Sequence, residues 1–213
     1  MQSNLDYNTK VKVIGVGEAG IQALEQIAIA QVPDVELLAL DTDIRSIERS
    51  SAHQGLCIGD PNLGSHGMDS GANPELGYEA IMASSENVRW LIGEPGLVVI
   101  IAGMGGGTGT GAAPIVAELS RQQGALTAGM VIKPYNFEGK RRMATAHAGI
   151  KALGEQVDVL LYIENRHIYR LLHKDAMLED LFPKADELLA KSARCLHRSV
   201  YCPGGNQRPI KRF

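Results

Sequence analysis

The sequence predicts an α/β fold in which a Rossmann-like parallel sheet carries helices on both faces. Three observations lead to this prediction. Strand-like apolar runs alternate with helix-like segments along most of the 213 residues. The runs are continuously apolar, which is typical of parallel strands that are buried on both faces. Two glycine-rich segments each follow such a run, as expected where a parallel strand turns into the next helix.

In the first half of the chain, apolar runs predict buried strands and residues with helical spacing predict helices. In order, these are the strand Lys10–Val16, the helix Gly20–Ala30, the strand Val35–Leu40, the short helix Ile44–Arg49, a loop Gly59–Pro74 and the helix Pro74–Leu91. Proline suits the first turn of a helix, because an amide hydrogen would have no intrahelical acceptor there.

The second half continues the alternation. In order, it contains the strand Leu97–Ala102, the glycine loop Gly103–Gly111, the helix Ala112–Gln123, the strand Leu126–Ile132, the helix Gly139–Gln156 and the strand Val157–Ile163. A final long helix, Phe182–Val200, precedes the tail. Right-handed crossovers place strand-to-helix loops along one edge of a parallel sheet, where ligands bind. Both glycine segments are therefore predicted at one site.

Composition restricts the class of protein. The net charge of −3 argues against a dedicated nucleic-acid binder. No apolar run reaches the roughly 18 residues of a membrane span, and the N-terminus lacks a signal peptide's apolar segment, so membrane insertion is not expected. The 3 cysteines have no metal-like spacing and predict reduced thiols in a cytoplasm. No Ser–His–acid order indicates a nucleophile, and no catalytic residue is assigned.

The first glycine segment, Gly15–Gly20, fits the pattern G-x-G-x-x-G between a strand and a helix. Asp41 lies about 20 residues further on, at the end of the next strand. Two interpretations remain open: a dinucleotide fingerprint with Asp41 on a ribose, or an ordinary strand–helix turn. Asp41 and Asp43 likewise fit contact with Mg²⁺ or its waters, and fit turn capping equally well.

The second glycine segment, Gly105–Gly111, is more specific, because it holds five glycines and two threonines in GGGTGTG. Glycine inside a regular element costs of order 1 kcal/mol, so such a run predicts backbone amides that must approach an anion closely. The segment also leads into a helix, whose N-terminal amides favour phosphate. No lysine follows, so the P-loop pattern is excluded.

Five segments together resemble the FtsZ branch of the tubulin superfamily. They are Ala102–Leu119, similar to its phosphate-binding signature loop; Ser70–Gly77, similar to its loop near the γ-phosphate; Lys133–Met143, similar to its ribose-contacting segment; Glu155–Ile168, similar to its next strand and base-side loop; and Phe182–Leu189, similar to the start of its central helix. The resemblance implies a GTP-binding domain over residues 10–200, between a flexible N-terminus, 1–9, and a basic tail, 201–213.

The resemblance also implies a ligand, GTP or GDP, and a role for each matching residue. The first phosphate loop would contain Gly17, Glu18, Ala19, Gly20 and Gln22, and the loop near the γ-phosphate would contain Gly71, Ala72 and Asn73. The loop that holds the α- and β-phosphates would contain Gly106, Gly107, Thr108 and Gly109, while Arg142 would lie on the phosphate side. Glu138 would contact the ribose, and Asn165, Phe182 and Asp186 would form the guanine site. A carboxylate such as that of Asp186 accepts from guanine N1–H and the 2-amino group together, a pair that adenine lacks.

The chain departs from the family pattern at several positions. Glu18 and Ala19 replace glycines, Ile21 replaces a third, Gln22 replaces asparagine, Asp69 replaces glycine, Glu164 replaces proline and Arg166 replaces aspartate. The sequence also stops after the central helix, where the family continues into a loop with a catalytic acid and a second domain. No acid follows Glu187.

These departures lead to three hypotheses. The first is a guanine-nucleotide-binding protein of the cell-division class with little GTP turnover alone, which self-associates or caps filaments of a full-length FtsZ-like protein. The second is an NAD-binding Rossmann enzyme, favoured by Gly15–Gly20 and Asp41. The third is a nucleotide-free scaffold, favoured by Glu18 and Asp69.

Overall fold

The computed structural model describes residues 10–29, 34–60 and 70–163, with Lys184, Glu187, Leu188, Lys191–Ala193 and Cys195. In chain order its elements are β1 (Val11–Val16), α1 (Gly17–Ile29), β2 (Val35–Asp41), α2 (Ile44–Glu48), β3 (Gln54–Cys57), α3 (Pro74–Ala83), α4 (Ser85–Ile92), β4 (Leu97–Gly103), α5 (Thr108–Gln122), β5 (Leu126–Ile132), a 3-10 turn (Asn136–Glu138), α6 (Lys140–Gly154) and β6 (Val159–Ile163). The separately described residues from Lys184 to Cys195 are helical.

The strands form one parallel sheet in the order β3-β2-β1-β4-β5-β6. The order reverses beside β1, because the chain first moves outwards to β2 and β3 and then returns to place β4 on the other side of β1. Helices α1 and α5 therefore lie on opposite faces, and a crevice opens between them at the carboxyl ends of β1 and β4. The predicted Rossmann-like fold class is confirmed.

Successive residues of the central strands enter two different cores, which explains their continuous apolarity. In β4, Val99 and Ile101 pack with α1 on one face, together with Ala193. Val98 and Ile100 pack with α3, α4, α5 and α6 on the other face. A strand covered on both sides has no polar face to present to water, so alternation is lost from its sequence.

Two regions contain elements that the sequence prediction did not have. Strand β3 was not predicted, because its residues are only half-buried or exposed and lack an apolar pattern. The helix predicted over Pro74–Leu91 is two helices, α3 and α4, separated at Ser84. The Ser84 hydroxyl accepts a hydrogen bond from the Gly59 amide at 2.9 Å, so a contact distant in sequence fixes the break.

The helices behind both glycine segments begin earlier than predicted. Helix α1 begins at Gly17 rather than Gly20, and α5 at Thr108 rather than Ala112. These residues were predicted as loop because glycine has a low helix propensity, but their packing against neighbouring backbone outweighs that propensity. Residues 61–69 of the predicted loop, and most of the predicted helix after residue 181, lie outside the described residues. Within the described part, no helix is both long and apolar enough to span a bilayer.

Candidate functional site

A cavity of about 590 Å³ opens at the crevice between β1 and β4. This volume lies within the range of small-molecule sites, about 300–1,000 Å³. Most of the site residues predicted from the sequence line it. They are Gly17, Glu18, Ala19, Gln22, Ala72, Gly106, Gly107, Thr108, Gly109, Glu138 and Arg142. The sequence therefore identified residues from four separate segments that the fold brings to one place.

The other predicted site residues do not line the cavity or are not described. Gly20 is not among the lining residues, and it packs so closely against β4 that a Cβ there would overlap the carbonyl oxygen of Ile101. The Asn73 side chain caps α3 by accepting from the Glu75 amide at 3.1 Å. Gly71 precedes Ala72, and both have φ near +60°. Asn165, Phe182 and Asp186, like Asp69, lie outside the described residues.

The N-termini of α1 and α5 meet at this cavity. Gly17 has φ of +74°, and a Cβ there would lie 3.0 Å from the amide nitrogen of Gly109. Glycine thus permits both the turn and the close approach of the two helix starts. The first amides of a helix have no intrahelical acceptor, and the helix dipole adds partial positive charge. Two such ends at one cavity form a site suited to phosphate.

The glycines of the second segment serve the protein's own packing more than the sequence predicted. A Cβ at Gly109 would overlap the carbonyl oxygen of Gly103, and one at Gly107 would overlap the Ser70 hydroxyl. A Cβ at Gly106, in contrast, would have no heavy atom within 4 Å. Of these three, only Gly106 leaves open space for a ligand to approach the backbone.

Three buried hydroxyl groups join separate parts of the site. Thr108 Oγ1 lies 2.9 Å from Thr42 Oγ1 and 3.1 Å from Ser70 Oγ. They connect the end of β2, the segment before α3 and the start of α5, and each residue is at most 5% exposed. The sequence analysis did not name Thr42 or Ser70 as site residues. Thr42 could have been identified, because it is a polar residue directly after a buried strand.

Asp41 brings a buried carboxylate into the cavity lining. It is 3% exposed, and its Oδ1 accepts from the Thr42 amide at 2.7 Å. Burial raises the pKa of Asp41 above its usual value, while hydrogen bonds from the Thr108 hydroxyl and the Thr42 amide lower it in part. Among the described residues, no lysine, arginine or histidine forms an ion pair with Asp41.

Two further carboxylates of the wall, those of Glu138 and Asp43, form hydrogen bonds and ion pairs with neighbouring groups. Glu138 accepts from the Tyr135 amide at 2.5 Å and pairs with Arg142 at 3.0 Å. Asp43 caps α2 and pairs with Arg45 at 2.7 Å, and the hydrogen bond from Arg45 lowers the pKa of Asp43. The capping interpretation of Asp43 is therefore realised. Within the described residues, no group of three or more His, Cys, Asp or Glu side chains is placed to hold a metal ion.

Several lining residues were given no individual role from the sequence. They are Arg45, Ser46 and Arg49 from α2 and its end, and Lys133, Pro134 and Tyr135, which begin the segment Lys133–Met143 that resembles the family's ribose-contacting segment. Their signal was position: α2 follows β2, and Lys133 follows β5, at the same edge of the sheet as the glycine segments. The Lys133 ammonium lies 4.6 Å from the Tyr162 ring centroid.

Comparison with known proteins gives one consistent result. A sequence model described as the Tubulin/FtsZ family, GTPase domain, matches residues 10–173. The chain is 40% identical to the cell division protein FtsZ of Pseudomonas aeruginosa over 201 residues, which are 94% of this chain and 50% of that protein. With FtsZ of Azotobacter vinelandii it shares 39% identity over 191 residues, 90% of this chain and 48% of that protein. The chain thus spans about half the length of these relatives.

Solved structures give the same fold. An empty FtsZ dimer from M. jannaschii superimposes with a TM-score of 0.87 and 32% identity, covering 95% of this chain and 58% of that one. CetZ2 from Haloferax volcanii, a protofilament with bound GTPγS, superimposes with a TM-score of 0.78, covering 92% of this chain and 60% of that one. At 21% identity, the second likeness shows the fold alone.

Proposed function

Because this chain belongs to the Tubulin/FtsZ family as a GTPase domain, we propose that its cavity binds GTP and GDP. The observation that carries the proposal is the meeting of two helix N-termini at the crevice between β1 and β4. The phosphates would lie against the first turns of α1 and α5, where the open space at Gly106 allows close approach. The ribose would lie towards Glu138. Mg²⁺ would enter together with the nucleotide phosphates, which bind it.

Guanine selectivity is the sharpest test of this proposal. Asp186→Ala should abolish the preference for GTP over ATP, because the acceptor for guanine N1–H and the 2-amino group is lost. The measurement is the rise in melting temperature of the wild type and the variant with GTP, GDP, ATP and NAD. Glu187→Ala is the matched control, since it removes the adjacent carboxylate. Equal protection of the wild type by GTP and ATP would contradict the base site.

The same assay separates the alternatives. A dinucleotide enzyme would be protected by NAD, with Asp41 on a ribose, and a nucleotide-free scaffold by none of the four ligands. The observation that favours a scaffold is Glu18, whose carboxylate lies in the first turn of α1 and lines the cavity. Asp69, the other residue that favours it, lies outside the described residues.

We propose further that this 213-residue chain turns over GTP slowly by itself. Each carboxylate in the described wall already accepts a hydrogen bond from within the chain: Glu18 from Gln22, Asp41 from Thr42, Asp43 from Arg45 and Glu138 from Tyr135. A positioned water-activating group typically contributes about 10²–10⁴-fold. Phosphate release at high protein concentration is the measurement, with the P. aeruginosa relative assayed in parallel. Equal rates would contradict the proposal.

The partner we propose is a full-length FtsZ-like protein or a second copy of this chain, acting in cell division as a filament regulator. A capper acts at filament ends, so substoichiometric amounts should shorten filaments in a sedimentation assay. Proportional co-sedimentation without shortening would instead indicate incorporation. A cytoplasmic location and the division into residues 1–9, 10–200 and 201–213 stay predictions of the sequence.

A further inference from the structure

Four cationic side chains line the described part of the cavity, and the chain already holds three of them. Arg45 and Arg142 each pair with a carboxylate, at 2.7 and 3.0 Å. The Lys133 ammonium lies 4.6 Å from an aromatic ring centroid. The Arg49 side chain, in contrast, is exposed and forms no hydrogen bond or ion pair among the described residues. Arginine is always charged and only donates, so the Arg49 guanidinium is a cation that an anionic ligand can use.

The strand order decides which part of a nucleotide Arg49 faces. Glu138, the residue proposed for the ribose, follows β5, whereas Arg49 ends the helix that follows β2. Between β5 and β2 lie β4 and β1, which lead into the N-termini of α5 and α1. A nucleotide with its ribose towards Glu138 and its first phosphates against α5 and α1 therefore directs its terminal phosphate towards α2.

Hydroxyl contacts keep the α2 side of the cavity close to the start of α5. Thr42 directly precedes the N-cap of α2, and its Oγ1 lies 2.9 Å from Oγ1 of Thr108, the first residue of α5. Ser70 Oγ lies 3.1 Å from the same Thr108 oxygen. Ala72, which belongs to the segment that resembles the family's γ-phosphate loop, also lines the cavity. The end of β2, the segment before α3 and the start of α5 thus converge beside α2.

A terminal phosphate on this side of the cavity needs a cation, because carboxylates line it. Glu18 lies on α1, Asp41 at the end of β2 and Asp43 at the start of α2. The hydrogen bond from Arg45 chiefly lowers the pKa of Asp43, and the charge of Arg49 makes the smallest of the contributions. Arg45 is therefore committed to Asp43, while the planar guanidinium of Arg49 can donate to two phosphate oxygens at once.

We propose that Arg49 binds the terminal phosphate of GTP and thereby sets the preference of the cavity for GTP over GDP. The proposal rests on the proposed function, since it takes the ribose to lie towards Glu138. GDP lacks the phosphate that Arg49 would reach, so this guanidinium strengthens the binding of one nucleotide and leaves that of the other nearly unchanged. Specificity is a difference between two affinities, and a contact made in only one complex contributes fully to it.

The test is calorimetric titration of GMP, GDP and the slowly hydrolysed analogue GTPγS into the protein at one magnesium concentration. Arg49→Gln should lower the ratio of the GTPγS and GDP association constants by about three- to tenfold, between the effect of an exposed ion pair and that of a charge-assisted hydrogen bond. The ratio of the GDP and GMP association constants should stay at the wild-type value. Arg49→Lys should recover part of the loss, because it keeps the charge but not the two-pronged donor.

Arg121→Gln is the matched control, because it makes the same change in the last turn of α5, away from the cavity lining. Both ratios should stay unchanged in this variant. Each ratio compares ligands of one protein, so a change in stability cancels. An equal fall in Arg121→Gln, or a GTPγS to GDP ratio in Arg49→Gln that stays at the wild-type value, would overturn the proposal. If the wild type binds none of the three nucleotides, the proposed function fails, and this proposal fails with it.

Discussion

The two glycine segments beside the cavity differ in what their residues contact. In the second segment, Gly107 and Gly109 pack so closely against other parts of the chain that a side chain would overlap them. In the first, Glu18 is exposed and Ala19 half-buried, and both line the cavity. Glycine is thus kept where chain packs against chain, whereas the positions that face the ligand space hold side chains in the first segment and a glycine, Gly106, in the second. Packing and ligand binding are separate demands on a glycine loop, and each can be tested alone.

The largest effect is expected in the second segment. Gly109→Ala should lower the free energy of unfolding by about 1–3 kcal/mol, because its Cβ would overlap the backbone oxygen of Gly103, which cannot move as a side chain can. Chemical denaturation measures this loss. Gly106→Ala is the control, since open space surrounds it: its stability should stay near that of the wild type while GDP binding weakens. If Gly109→Ala and Gly106→Ala had equal free energies of unfolding, glycines that pack against the chain would not differ from glycines that face the ligand space.

A smaller effect of opposite sign is expected in the first segment. Glu18→Gly should tighten GTP and GDP binding together by roughly two- to fivefold, because a carboxylate in the first turn of α1 favours the empty site through the helix dipole by about 0.3–1 kcal/mol. The unliganded protein should become slightly less stable for the same reason. Calorimetric titration of both nucleotides, with melting of the free proteins, measures the two changes.

Glu18→Gln separates charge from bulk, because it keeps the size of the side chain and removes its charge. Tighter binding in both variants would indicate charge, and tighter binding in Glu18→Gly alone would indicate steric blocking. Unchanged affinity in both would mean that Glu18 points into solvent, and the comparison of the two segments would then rest on the second segment alone.

The fold was predictable because its main signal is local. Continuous apolar runs identify strands buried on both faces, and such strands form parallel sheets. Strand β3 was not predicted, because an edge strand with exposed residues has no continuous apolar run. The starts of α1 and α5 were predicted too late because glycine has a low helix propensity. In the structure these turns are helical and pack closely, α1 against Gly103 and α5 against Pro74.

The site was predictable only in part. Resemblance and glycine spacing identified the two loops, and Glu138 and Arg142 were named together although their pairing was not foreseen. The contacts of Thr108 with Thr42 and Ser70 join residues far apart in sequence. The contact with Ser70 accompanies the packing of α3 on α5, and the contact with Thr42 depends on the place of β2 beside β1 in the sheet. No local pattern encodes either arrangement. That no lysine, arginine or histidine of the described residues pairs with Asp41 is likewise a property of the folded arrangement.

The strand order has a consequence for synthesis of the chain on the ribosome. β1 pairs with β4 from Val11 opposite Leu97 onwards, so the central pair of the sheet closes across a long intervening segment. Closing that loop costs entropy that local pairing does not, although the cost grows only slowly with length. While β4 and the start of α5 are still inside the exit tunnel, β1 can pair with β2 and pack with α1, but one wall of the cavity does not exist. Because the described cavity lining extends to Arg142, a nascent chain acquires that binding site only after Arg142 has emerged.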